Sequence, residues 1–132
     1  MARRRIAWAD GDAALGRWAD GVTDRTTVAT AVRYALEELT ARAPGNSVEV
    51  RVPPFGVAQC VAGPRHTRGT PPNVIETDAA TFLALVTGRT GWGQARASGT
   101  VAASGTRADL ADLLPLWSRF ASSSHRGEDP PR

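Results

Sequence analysis

Hydrophobic and polar positions change period several times along the chain. From Asp24 onward Val28, Val32, Ala35, Leu36 and Leu39 recur at helical spacing, with Arg25, Arg33 and Glu37 on the other side. This predicts an amphipathic helix capped by Asp24 and ended by Pro44-Gly45-Asn46. Ser47 to Val52 then alternates strictly, placing Val48, Val50 and Val52 on one face and Glu49 and Arg51 on the other, as a strand with one wet face does. Pro53-Pro54 cannot continue a central ladder, and Phe55 to Val61, apolar or small apart from Gln59, predicts a second strand antiparallel to the first. Residues 62–72 have the composition of a loop, and Asn73 to Thr77 that of a short strand.

The punctuation is densest from Asp78 to Gly105. Asp78 caps a helix holding Phe82, Leu83, Leu85 and Val86, and Gly88 ends it in the left-handed conformation. Thr90 is the expected cap of a second short helix that carries Trp92 and Ala95 on one face and stops at Gly99. A small-residue strand follows, Thr100 to Ser104, closed by Gly105. Leu110, Leu113, Leu114 and Trp117 predict a last helix, bent or restarted at Pro115.

The two ends read differently. Residues 1–23 offer only Ile6, Trp8, Leu15 and Trp18 as large apolar groups, so they are expected as a flexible N-terminal arm, with a lid over an apolar cavity as the sharper alternative. Residues 24–120 form the expected domain, and the polar run of residues 121–132 a disordered tail. The elements together predict an α+β fold, a mostly antiparallel sheet covered on one face by helices. Four strands can be placed.

Composition narrows the function classes. At 132 residues, with 42% hydrophobic and 22% charged residues, the chain is of single-domain size and its apolar runs are too short for a membrane span. Arg3-Arg4-Arg5 lacks a following apolar stretch, which argues against a secretory signal and makes a cytoplasmic setting the default. A net charge of +3 is too small to argue for nucleic acid. The single cysteine, Cys60, excludes an internal disulfide and a cysteine-rich zinc site.

Catalytic chemistry finds few candidates. His125 lies in the tail, and His66 stands alone in an arginine-rich loop, where a solvated surface group is the simpler reading. Cys60 in an apolar strand reads as a small buried hydrophobe, and a helix cap accounts for Asp78. No nucleophile-base-acid order, metal-ligand spacing or phosphate-binding glycine loop occurs, so neither catalytic residues, metal nor cofactor is expected. Arg65, His66 and Arg68, beside Thr67, Gly69 and Thr70, stand out as either a charged surface loop or an anion site.

An acidic cap, an apolar helix ending in Leu85-x-Thr87-Gly88-Arg89, a spacing of about ten residues to Ala95-x-x-x-Gly99, and a strand closed by Gly105 before Leu110 resemble the C-terminal half of the sterol carrier protein type two family. The run from Val52-Pro-Pro-Phe to the loop after Cys60 resembles small sterol-carrier-like proteins of actinobacteria. The resemblance implies a five-stranded sheet and a non-catalytic carrier for fatty acyl chains, sterols or acyl thioesters in an apolar cavity. Phe82, Leu85, Val86, Trp92, Leu110, Leu113 and Trp117 are then the expected cavity wall, and Arg65, His66 and Arg68 the expected partners of an anionic head group. Its partner would be a lipid or other apolar small molecule, with transient membrane contact and an oligomeric state left open. Two rival readings are a stand-alone relative of the accessory domain of mycothiol-dependent maleylpyruvate isomerases and a cavity-less interaction module.

Overall fold

The computed structural model describes residues 5–63 and 73–121. Helix α1 (Trp8–Ala19) and helix α2 (Arg25–Arg42) come first, followed by strands β1 (Val48–Val52), β2 (Gly56–Cys60) and β3 (Asn73–Thr77). Helices α3 (Ala79–Val86) and α4 (Trp92–Ser98), strand β4 (Val101–Ser104) and a 3-10 turn (Ser118–Phe120) complete the order.

Both acidic caps form as the spacing predicts. The Thr27 amide donates to Asp24 Oδ2 at 3.1 Å and its hydroxyl to Oδ1 at 2.7 Å. Those two bonds, side chain first, hold the Asp24 carboxyl below its ordinary range. Asp78 accepts from the Thr81 amide at 2.7 Å in the same way at the start of α3. Helix α4 departs from expectation: Gly91, not Thr90, is its first flanking residue, and no side chain caps it.

The sheet has the order β2-β1-β3-β4 and is mixed. β1 pairs antiparallel with β2, Val50 opposite Ala58, and parallel with β3, Val50 opposite Ile75; β3 pairs antiparallel with β4, Ile75 opposite Ala103. Val48, Val50, Val52, Cys60, Ile75 and Val101 are buried on the face that the helices cover. Glu49, Arg51, Val57, Gln59 and Glu76 share the other face, where Arg51 pairs with Glu49 and stands 4.0 Å from Glu76. α2 lies against β2 so closely that a Cβ on Gly56 would come within 2.9 Å of Leu36 Cδ1. Two side chains fasten this seam at the sheet edge: Arg33 Nε donates to the Phe55 carbonyl at 3.0 Å, and Thr40 Oγ1 to that of Gln59 at 3.3 Å.

The stretch expected as an arm contains a helix. α1 packs on α2 through Gly11, Ala14, Leu15 and Ala19, all buried. A Cβ on Gly11 would overlap the Tyr34 ring, so the absence of a side chain there is what lets the two helices close. Counting aliphatic residues underestimates such a seam, because small residues contribute by close approach rather than by their own area. Asp12 adds polar ties, accepting from Tyr34 Oη at 3.3 Å and pairing with Arg119 at 2.8 Å.

The expected last helix does not form. Leu113 lies in a turn, Leu110 and Leu114 in irregular chain, and only Ser118–Phe120 is helical, as a 3-10 turn. Pro115 has no amide to donate, and the amides of Leu116 and Trp117 go instead to the Val86 carbonyl at the end of α3, at 2.8 and 2.9 Å. Leu110, Leu116 and Trp117 are buried all the same, and Leu113 and Leu114 partly so.

Arg89 gathers these pieces. Its Nε donates to the Phe120 carbonyl at 2.8 Å, one terminal nitrogen donates to the Ala19 carbonyl at 3.1 Å, and its guanidinium lies 4.9 Å from the Trp18 ring centre. The cation therefore serves the C-terminal end of α1. Arg89→Ala leaves two partly buried carbonyls short of a charged donor, and a loss of about 2–4 kcal/mol is expected in urea denaturation.

Candidate functional site

A groove of about 630 Å³ runs along the seam between α2 and β2. Leu36 from α2, Phe55, Gly56 and Ala58 from the β2 side, and Ile6 from the segment ahead of α1 supply its apolar surface. Arg5, Arg33, Glu37, Thr40 and Gln59 supply its polar one. The size falls within the range of about 300–1,000 Å³ that small-molecule sites occupy.

Local chemistry explains how each wall arises. Leu36 belongs to the buried stripe of α2 and turns toward β2 because that stripe must cover the sheet. The turn Val52-Pro53-Pro54-Phe55 is closed by the Phe55 amide on the Val52 carbonyl at 2.8 Å, and Arg25 sits 5.3 Å from the Phe55 ring centre. The N-terminal wall is held by Glu37, whose Oε2 accepts from the Arg5 amide and Oε1 from the Ile6 amide, both at 3.2 Å. A second depression of about 410 Å³ lies on the far side of this wall, against Arg17 and Thr30. A third, of about 350 Å³, lies on the open sheet face beside Pro53, Pro54 and Val57.

The residues expected as a cavity wall lie in the core. Phe82, Leu85, Val86, Trp92, Leu110 and Trp117 are buried, and Leu113 partly so, all in one hydrophobic cluster. The Trp117 ring stacks on Tyr34 at 5.3 Å with 9° between planes, which makes it a packing element between α2 and the C-terminal segment. None of the seven lines any of the three depressions. Arg65, His66 and Arg68 lie outside the described residues.

Sequence reasoning missed the groove's own residues. Arg5 and Ile6 belong to the expected arm, and helical periodicity places Arg33 and Glu37 only on the wet side of an amphipathic helix. Leu36 was legible as a core position, but no period indicates that a core residue also borders an opening.

Cys60 is buried with no exposed surface, and burial pushes its thiol up to about 11 from an ordinary 9.0. The thiolate is the reactive form, so at pH 8 folding is expected to slow iodoacetamide labelling by about 100-fold from ionisation alone. Mass-spectrometric labelling with and without denaturant checks this.

Among the described residues, no three His, Cys, Asp or Glu side chains gather as a metal site. No described helix is long and apolar enough to cross a membrane. The matched family model, described as bacterial SCP ortholog, extends over residues 24–116, from the Asp24 cap through the whole sheet to Leu116. The chain belongs to this sterol-carrier-protein-like family. No curated protein matches it. In this sterol-carrier-like protein both sides of the α2–β2 seam fall within the matched region, whereas α1, Arg5 and Ile6 precede it.

Proposed function

We propose that this sterol-carrier-like protein is a non-catalytic carrier for an apolar or amphipathic small molecule, which lies in the groove between α2 and β2. The observation that carries the reading is an apolar-floored groove of about 630 Å³ within the region that the family model matches. Leu36, Phe55 and Ala58 present hydrocarbon to a ligand, and each methylene removed from water there contributes about 0.8 kcal/mol. The groove opens to solvent and carries Arg5, Arg33, Glu37, Thr40 and Gln59, so a polar end of the ligand stays in water or against these side chains and is not stranded in the core.

Native mass spectrometry and organic extraction of gently purified protein, followed by displacement of a fluorescent fatty acid, test the proposal. A bound or displaceable lipid is expected. Ala58→Phe, which fills the floor, is expected to weaken binding about tenfold or more with the circular dichroism spectrum retained. A folded wild type that neither carries nor takes up lipid overturns the carrier reading.

A further inference from the structure

We infer that the segment before α1 completes the groove as an anion subsite, in which Arg5 and Arg33 receive the carboxylate of a single-chain amphiphile and Glu37 positions the segment. The inference rests on the carrier reading and adds a polarity to it: hydrocarbon along Leu36, Phe55 and Ala58, head group at the N-terminal wall. The matched family region begins at Asp24, so the wall formed by Arg5 and Ile6 lies before it.

Charge supports this occupant. Two guanidinium groups line the groove against one carboxylate, a formal balance of +1. Both Glu37 oxygens already accept backbone amides, those of Arg5 and Ile6, so the carboxylate acts as a clasp on the chain. The Arg33 Nε is engaged by the Phe55 carbonyl, which fixes the plane of its guanidinium at the groove edge and leaves the terminal nitrogens as the donors for an anion. The Arg5 side chain is exposed and has no hydrogen-bond partner among the described residues. An arginine held by its backbone, with its side chain at the groove rim, is arranged to receive a carboxylate without loss of an existing bond. Burial of an unpaired charge is prohibitive, so the head group sits where these donors are and the chain where they are not.

The test uses the full chain, with dodecanoate and dodecanol as matched probes in the same buffer. Wild type is expected to bind the acid more tightly than the alcohol. Arg5→Gln is expected to weaken dodecanoate about tenfold and dodecanol less than about twofold, as loss of a charge-assisted contact predicts. Glu37→Ala, which frees the segment, is expected to shift the acid-to-alcohol ratio in the same direction, and Glu37→Gln to restore it in part, because its single amide oxygen still accepts one of the two backbone amides. A diazirine-bearing fatty acid is expected to label residues 33–40 and 55–59. Equal losses for both probes, or no loss, overturn the subsite and leave the carrier reading standing; labelling confined to Phe82–Val86 or Trp117 overturns both the subsite and the placement of the ligand in the groove. Uptake only from anionic vesicles, with no binding of free dodecanoate, would make Arg5 part of a membrane-facing patch and overturn the subsite. If neither probe binds folded wild type, the carrier reading falls and the subsite with it.

Discussion

Leu15→Ala is expected to destabilise the protein by about 2–5 kcal/mol, the range for removing a fully buried leucine from a packed core. Leu15 has no exposed surface, although it lies in a stretch whose composition reads as a loose arm. The two views differ widely in their numbers: truncating a residue of a loose arm shifts stability by less than about 0.5 kcal/mol. Urea denaturation read by tryptophan fluorescence separates them, since Trp18 in α1 and Trp117, stacked on Tyr34 beneath it, report on the same packing. A variant indistinguishable from wild type would mean that α1 does not contribute to the cooperative unit. Arg89→Ala probes the same attachment from its polar side, and the two losses are not expected to add, because both act on the docking of α1.

Gly105→Val is expected to cost more than Gly99→Val, although the two glycines look alike in sequence. Both have positive φ, +100° at Gly105 and +82° at Gly99, where a β-branched residue is strained by about 1–3 kcal/mol. Space separates them. A Cβ on Gly99 meets nothing within 4 Å, whereas one on Gly105 would stand 2.9 Å from the Asn73 Cα and overlap the Asn73 side chain. Asn73 cannot yield freely, since its Nδ2 donates to the Ser47 carbonyl at 2.8 Å and its Oδ1 accepts from the Arg107 amide at 3.0 Å. Overpacking adds about 1–3 kcal/mol to the backbone term, for a total of about 2–6 kcal/mol at Gly105. Thermal or urea midpoints of the two variants give the order directly, and equal midpoints would show that Asn73 yields without cost.

The elements that were legible in the sequence are those whose cause is local. Asp24 and Asp78 cap helices because a carboxylate three residues before a free amide reaches it whatever surrounds them. Val48, Val50 and Val52 had to share a buried face because a strand alternates. Gly88 and Gly99 end helices because only glycine takes positive φ there without strain. The α+β class and the number of strands that could be placed followed from these local signals.

What the tertiary structure decided has non-local causes. Alternation states which face a strand buries but not which neighbour it takes, so the parallel pairing of β1 with β3 left no mark on the sequence. Leu110, Leu113 and Trp117 have helical spacing, yet the amide of Trp117 found a better acceptor at Val86, and an apolar side chain is buried equally well from a turn. Gly11 and Ala14 carry little hydrophobic area, and only the flat Tyr34 ring opposite makes them a seam. The groove follows the same rule. Leu36, Phe55 and Ile6 belong to three separate stretches of chain, and a site made where such stretches meet has no period, because its geometry arises only when α2 lies down on the edge of the sheet.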